Sequence, residues 1–211
     1  MASSVTTPTR IISKQVLSTF LTSLSAKQPT PGGGASAAVS AAIGTATAQM
    51  AANYTQRKTG IVSGSTEKAH TFLDGTSTSI QTFLQAADDD VNAYAGLLKI
   101  YRKKRENKAT CAATASAMEQ EMKEMEARAL AVPVRLVELC HQSVLSIQSF
   151  LPHCNPRTVS DAKAGIHQLA GAARAAYQTA LANNPNAEQV ERLALLLKEI
   201  RCIEDEVLEL K

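Results

Sequence analysis

Aromatic residues are scarce in this 211-residue chain, which has no tryptophan and only four phenylalanines and four tyrosines. Hydrophobic residues still make up 45% of the sequence, and alanine dominates them. Because alanine favours helix but adds little bulk, such a core depends on close approach between helices. The alternation typical of strands never persists, and glycine and proline fall between helical segments. The sequence therefore predicts an all-α fold, a single-domain bundle of about six to seven helices.

Acidic residues are absent before Glu67, whereas basic residues cluster over residues 102–108. The net charge of +3 is small, and Tyr101 is the one aromatic residue near this basic run, so binding of nucleic acid is not expected. The run is either a solvated helix end or a docking strip for a polyanionic ligand tail. Its members are Arg102, Lys103, Lys104, Arg105 and Lys108.

Cysteine occurs only four times and never in a closely spaced pair. The sequence thus predicts neither a disulfide framework nor a metal site, and we expect a reducing, cytoplasmic location. Two Cys-His neighbours, at residues 140–141 and 153–154, leave a zinc site as a less favoured alternative. A Ser/Thr-rich, basic N-terminus leaves a mitochondrial location as another.

Long hydrophobic runs are also lacking. Residues 34–56 carry no charge, but they are mainly Ala, Ser and Thr with few large apolar side chains. We interpret this stretch as a buried helix and expect no association with a membrane.

Helix signals divide the chain into a tail, residues 1–12, and one helical domain, residues 13–211. Ser13 is expected to cap the first helix, with Val16, Phe20, Leu21 and Leu24 on its buried face. The next helices are predicted over residues 35–57 and 66–102, the latter with a bend at Gly75. Asn107 is predicted to cap a helix to residue 130, and Pro133 to begin another or kink its continuation to residue 150. A further helix is predicted from Thr158 or Ser160 to about residue 183. The last helix is predicted from an apolar stripe over residues 190–207.

Three consecutive glycines, Gly32, Gly33 and Gly34, open the second predicted helix, and Ser36 adds a hydroxyl. Free N–H groups at a helix start favour an anion or a carbonyl oxygen, so this turn is a candidate binding loop. The alternative is a flexible turn. No strand precedes the glycines and no Lys-Ser/Thr follows them, which excludes a dinucleotide fingerprint and a P-loop.

Three consecutive carboxylates, Asp88 to Asp90, lie inside a predicted helix. Such a triplet repels itself and has poor helix propensity, and local conflicts of this kind are typical of functional sites. The triplet sweeps about 200° around the helix, so at least one carboxylate faces the bundle. Asp90 shares a face with Tyr94. A solvated acidic face is the alternative, and for Ser160-Asp161 simple helix capping is favoured.

The order of these motifs resembles the cyclodeaminase/cyclohydrolase family, which includes the C-terminal domain of formiminotransferase-cyclodeaminase and stand-alone methenyltetrahydrofolate cyclohydrolases. The resemblance covers about residues 14–209. It rests on Pro31-Gly32-Gly33-Gly34, on Met50 to Thr55, on Asp88, Asp90, Ala93 and Tyr94, on Val132-Pro133, on Ser160-Asp161, and on Ala176-Tyr177 with Asn183.

The resemblance implies a helical homodimer that binds a tetrahydrofolate derivative, polyglutamylated or not, without a metal or further cofactor. It implies closure of 5-formiminotetrahydrofolate with loss of ammonia, or opening of 5,10-methenyltetrahydrofolate by water. Asp90 becomes the candidate acid/base, with Asp88 as its electrostatic neighbour and Tyr94 beside it. The implied substrate-binding residues are Gly32, Gly33, Gly34, Ser36, Lys58, Ser160, Asp161 and Asn183.

Several positions depart from the family pattern. Ala35 replaces a serine, Arg57 a glycine and Thr179 an asparagine, and residues 101–105 replace a Leu-Pro-Lys turn. Because these changes fall on the predicted ligand surface, the alternative function is that of an inactive family member, a structural subunit of a larger assembly.

Overall fold

The structure, a computed structural model, describes residues 11–56, 64–106 and 112–209. Within these ranges the chain is helical and contains no strand, which confirms the predicted all-α bundle. The helices are α1 (Leu17–Ser25), α2 (Gly33–Gln56), α3 (Ser65–Thr76), α4 (Ser79–Glu106), α5 (Ala112–Phe150), α6 (Val159–Ala182) and α7 (Ala187–Glu209). Short 3-10 helices, Ile12–Lys14 and Leu151–His153, precede α1 and α6.

Helix α2 lies at the centre of the bundle and packs against α6, α4 and α3. Half of its 24 residues are buried, and every one of these is Ala, Gly or Thr. Small side chains on several faces allow three neighbouring helices to approach the same helix closely, which explains how a chain poor in aromatic residues closes a core. Bulk comes from the surrounding helices, for example Phe83, Leu136, Ile166 and Leu169.

Helices α2 and α6 run antiparallel and touch through their backbones where Gly44 meets Gly165. A methyl group at Gly165 would lie 2.7 Å from the Gly44 carbonyl oxygen, and one at Gly44 would lie 3.0 Å from the Gly165 carbonyl oxygen. The start of α2 lies beside the end of α6, where Gly33 meets Thr179. At the other end, the Thr55 hydroxyl accepts the Asn155 N–H at 2.9 Å.

We predict that Gly165→Ala destabilises the fold by about 1–3 kcal/mol, because its methyl group would overlap rigid backbone rather than a movable side chain. Gly171 is the matched control on the same helix, since a methyl group there meets nothing within 4 Å. Gly171→Ala should stabilise the helix by about 0.5–1 kcal/mol. Urea unfolding measures both changes, and equal stability of the two variants would refute the close backbone contact.

Helix α7 packs on α5 and α6 of the same subunit. The apolar stripe predicted over residues 190–207 therefore contributes to the core of the subunit. Leu193, Ile200, Ile203 and Val207 are buried. Polar contacts flank them: the His141 imidazole lies 2.6 Å from Glu199, and Glu204 accepts a hydrogen bond from Arg174 at 2.6 Å. Burial works against ionisation of Glu204, but the hydrogen bonds from Arg174 and His167 outweigh it and hold its pKa below the usual value.

Two predicted helix boundaries were wrong. The long helix predicted over residues 66–102 is broken between Thr76 and Ser79, at Ser77 and Thr78, rather than bent at Gly75. Pro133 lies inside one continuous helix, α5, so the helix end predicted at Leu130 does not occur, and the alternative of a continuation applies. Pro133 is buried, and the packing of α5 on α4 and α6 outweighs the local preference of proline. Asn107, the predicted cap, lies outside the described residues.

The first helix starts later than predicted, and the sixth starts at a predicted residue, Thr158, but without the predicted capping bond. Ser13 lies in a 3-10 helix, α1 begins four residues later, and Val16 and Leu21 are exposed rather than buried. Thr158 is the N-cap of α6 but makes no side-chain capping bond, because its hydroxyl donates to the Ala51 carbonyl at 3.4 Å. The hydroxyl groups of Ser13 and Thr158 donate hydrogen bonds to distant parts of the chain, and the local sequence does not reveal those partners.

Membrane-spanning potential is limited to one stretch of the described residues. Ser116–His153 has the length and composition of a membrane helix, a test that core helices of soluble proteins also pass. In the bundle this helix packs on α4, α6 and α7 and buries Leu136, Val137 and Val144. The uncharged stretch predicted as a buried helix, residues 34–56, is the central helix α2.

Candidate active site

Asp90 of α4 reaches the N-terminus of α2, the turn formed by the three glycines. The Ala35 backbone N–H donates a hydrogen bond to Asp90 Oδ2 at 3.0 Å. Since the first N–H groups of a helix lack partners in the helix, the carboxylate satisfies one of them and lies at the positive end of the α2 dipole. The structure thus brings together the two motifs that the sequence singled out separately.

Gly34 allows this contact because it has no side chain. A methyl group at Gly34 would overlap Asp90 Oδ1 and would lie 2.6 Å from its carboxyl carbon. A methyl group at Gly32 would meet no atom within 4 Å. A methyl group at Gly33 would lie 3.5 Å from Thr179 Oγ1, which is an ordinary van der Waals contact. Of the three glycines, Gly34 is therefore the one that the geometry of the carboxylate requires.

The environment of Asp90 favours its protonated form more than water does. Burial raises the pKa of Asp90, and the hydrogen bond from Ala35 acts in the opposite direction without cancelling that effect. No ion pair to Asp90 occurs among residues 11–56, 64–106 and 112–209. A carboxyl group with a raised pKa and one fixed oxygen has the properties of a general acid or base.

Asp88 has different surroundings, although it lies only two residues from Asp90. Its carboxylate is buried and accepts hydrogen bonds from the Ile12 backbone N–H and, at 2.8 Å, from the Ser13 hydroxyl. Residues two apart project about 200° apart around a helix. The structure therefore places Asp88 against the N-terminal segment and Asp90 against α2, rather than the two side by side.

Three further predicted residues lie around the start of α2. Tyr94 is one turn beyond Asp90 on α4 and is partly exposed. Asn183 follows the last residue of α6, and its Nδ2 donates to the Thr179 carbonyl at 2.9 Å. Gly32 accepts the Ser36 N–H at 3.0 Å through its carbonyl oxygen. The end of α6 and the start of α2 thus form one surface next to Asp90.

Ser36 faces a neighbouring groove between α2 and α6. The groove has a volume of about 280 Å³, and its lining includes Ser40, Ile43, His167 and Gly171. Most of its lining residues are Ala, Gly or Ser, and the larger ones are Ile43, His167 and Gln168.

Ser160 and Asp161 lie at the opposite end of α6. Eighteen residues separate Asp161 from Thr179, which corresponds to about 27 Å of helix. Within one subunit these two residues therefore do not join the Asp90 site. Lys58 lies outside the described residues.

Metal-ligating side chains do not cluster in residues 11–56, 64–106 and 112–209, where no three of His, Cys, Asp and Glu come together. Cys140 and Cys154, the two cysteines considered as zinc ligands in the sequence analysis, are buried free thiols. Burial raises the pKa of both thiols.

Sequence reasoning missed two participants at the start of α2. The Ala35 N–H has no sequence signature, because any residue could supply it. Thr179 appeared only as a departure from the family pattern, yet its hydroxyl lies beside Gly33. The three glycines look alike in the sequence. Only the position of the Asp90 carboxylate shows that Gly34 is the one that cannot carry a side chain.

Comparisons with known proteins give a consistent result. The model of the formiminotransferase-cyclodeaminase family matches residues 16–201. A solved structure of formiminotetrahydrofolate cyclodeaminase from Thermotoga maritima superposes with a TM-score of 0.77 over 93% of this chain and 96% of that chain, at 19% sequence identity, and so shares the fold. No curated protein sequence matches the chain. The chain belongs to the formiminotransferase-cyclodeaminase family.

Proposed function

We propose that this protein is a folate one-carbon enzyme that uses Asp90 as its general acid/base. The observation that carries the proposal is the placement of Asp90, a carboxyl group with a raised pKa, against the free N–H groups of α2. The family and the fold support a tetrahydrofolate derivative as the substrate. We propose no cofactor beyond that substrate, and a cytoplasmic location.

The two candidate reactions place the same demand on the site. In opening, the oxygen of water bonds to the methenyl carbon and gives up one proton, the bond from carbon to N5 breaks, and N5 takes the second proton of that water as the formyl carbonyl forms. In closure, N10 bonds to the carbon of the protonated formimino group and gives up its own proton, the departing nitrogen takes a proton, and its bond to carbon breaks as ammonia leaves. Both pass through a cationic carbon with a nitrogen on each side, and a nearby carboxylate stabilises that charge and transfers the proton.

The parts of the substrate can be matched to the surroundings of Asp90. The N–H groups at the start of α2 suit a carbonyl oxygen or an anionic group of the folate. The groove beside Ser36 suits the planar ring. Residues 102–105 of the basic run are exposed at the end of α4, with Lys103 Nζ 3.2 Å from Glu121, and Arg102 lies about 18 Å along α4 from Asp90. Lys108 lies outside the described residues. We propose that Lys58 or this run attracts a glutamate tail.

The test is turnover by purified wild-type protein, with both substrates offered separately. Loss of methenyltetrahydrofolate absorbance, corrected for spontaneous hydrolysis, reports opening, and release of ammonia from 5-formiminotetrahydrofolate reports closure. We expect at least one rate clearly above the buffer rate. If neither reaction runs faster than in buffer, the proposed enzymatic function is refuted.

A structural role is the second candidate, and the position of Thr179 favours it. This departure from the family pattern lies directly beside Gly33, at the proposed binding surface. A chain that keeps the fold but binds no folate in equilibrium dialysis would support this candidate.

We also propose that the protein is a homodimer, joined through the outer face of α2. Ile43, Met50 and Tyr54 are exposed there at helical spacing, on a helix whose other faces are buried. A twofold axis across this face would pair α2 with its copy in antiparallel orientation. The Gly34 end of one subunit would then lie near the Ser160 end of its partner, which would unite the two groups of predicted binding residues.

Light scattering at micromolar concentration should give twice the mass of one chain. Met50→Glu should shift the protein toward monomer by placing a charge in an apolar contact. Leu195 of α7 is also exposed but lies on another surface, so Leu195→Glu is the matched control and should remain dimeric. A monomeric wild type would contradict the dimer.

A further inference from the structure

The segment that leads into α2 is tied to α4 at both of its ends. We call residues 12–32 the N-terminal strap. At its beginning, the Ile12 N–H and the Ser13 hydroxyl donate to the Asp88 carboxylate. Just after its end, the Ala35 N–H donates to Asp90. Because Asp88 and Asp90 project from roughly opposite sides of α4, the strap passes around that helix from one carboxylate to the other.

Between these two ties the strap is held weakly. Helix α1 lies within it, and Phe20 is its only buried residue. Val16, Leu17 and Leu21 are exposed, and Lys27, Gln28 and Pro29 are exposed as well. Apart from Phe20 and Ile12, few side chains of the strap are anchored in the core, so the Asp88 contacts carry a large share of its attachment.

We propose that Asp88 is a positioning residue: it fixes the start of the N-terminal strap and thereby fixes the glycine turn, Gly32 to Gly34, against Asp90. The role follows from the hydrogen bonds that one buried carboxylate accepts from two adjacent residues, with each of its oxygens turned toward the strap. The claim rests on the proposed function where it concerns catalysis. Its structural part, the coupling between Asp88 and the α2 start, stands without it.

Hydrogen exchange followed by mass spectrometry tests the structural part on the full chain. In Asp88→Ala, amides of residues 12–25 and the two hydrogen-bonded amides at the α2 start, those of Ala35 and Ser36, should exchange at least about tenfold faster, since hydrogen bonds to a buried charge are lost. Asp89 is the matched control, because its side chain is exposed and accepts, within the described part of the chain, a hydrogen bond from Gln85 at 3.0 Å but none from the N-terminal strap. Asp89→Ala should exchange like wild type. Ser13→Ala removes one of the two bonds, and it should show the same pattern more weakly even if Asp88→Ala fails to fold.

Kinetics test the catalytic part. Asp88→Ala should raise KM for the folate about tenfold and lower kcat by no more than about tenfold, and Ser13→Ala should do both more weakly, because the turn binds substrate and also holds Asp90 through Ala35. The inflection of the pH profile should stay where it is, because Asp90 itself is unchanged. A kcat loss at constant KM would make Asp88 a catalytic residue and overturn the proposal. Unchanged exchange at Ala35 and Ser36 in both variants would also overturn it. Inactive wild-type protein would refute the proposed function, while the exchange result would still decide the positioning role.

Discussion

Asp90→Asn should lower kcat by about a hundred- to ten-thousand-fold while changing folate affinity little, the usual range for loss of a general acid/base. The amide keeps the shape of the side chain, and its oxygen can still accept the Ala35 N–H. What it loses is the exchangeable proton and the negative charge. Single-turnover kinetics with methenyltetrahydrofolate and with 5-formiminotetrahydrofolate would measure the effect, and equilibrium dialysis would measure affinity.

The same variant separates catalysis from capping. If Asp90 served only to cap α2, asparagine would replace it well, since both residues are good helix caps. Stability should therefore stay within about 1 kcal/mol of wild type in urea unfolding. Activity equal to wild type would show that Asp90 is only a cap, and catalysis would have to be assigned elsewhere.

Gly34→Ala should be nearly as damaging to turnover, although it removes no functional group. Its methyl group would occupy the space of Asp90 Oδ1, so the carboxyl group must rotate away and give up the Ala35 hydrogen bond. We expect a kcat loss of about a hundredfold or more, from misplacement of the acid/base. Overpacking should also cost about 1–3 kcal/mol of stability. Steady-state kinetics and urea unfolding measure the two effects.

Gly33→Ala is the matched control for this substitution. Its methyl group would make an ordinary contact with Thr179, 3.5 Å away, and would not reach Asp90. Either substitution should weaken folate affinity, because both glycines belong to the proposed binding turn, but kcat of Gly33→Ala should stay within about threefold of wild type. Equal kcat losses at both positions would mean that the turn, rather than the placement of Asp90, limits the reaction.

Local sequence patterns predicted the parts of this fold that depend on periodicity. The stripe of α7 was predicted from its spacing, because burial repeats with the helical turn, and α2 was predicted as a buried helix from its uncharged, small-residue composition. Predictions failed where tertiary contacts overrule local preference. Pro133 lies in a continuous helix supported by its neighbours, and Ser13 bonds to Asp88, 75 residues away, instead of capping α1.

The candidate site was predictable in its members but not in its geometry. The glycine turn and the acidic triplet each stood out, since one supplies free N–H groups and the other is locally unfavourable. Which carboxylate faces which partner depends on how α4 is rotated in the bundle. No local pattern gives that rotation, and so Asp88 and Asp90 received neighbouring roles that the structure separates.

The pH dependence of kcat/KM, measured for wild type and for the residual activity of Asp90→Asn, tests the central claim most directly. It reports the pKa of essential groups in the free enzyme. Wild type should show an inflection above the ordinary aspartate range, because burial raises the pKa of Asp90. Opening by water, which needs the ionised carboxylate, should accelerate as pH rises through that value, and closure, which needs the protonated acid, should slow. The inflection should vanish in Asp90→Asn, and an identical inflection in both proteins would contradict the assignment of Asp90 as the acid/base.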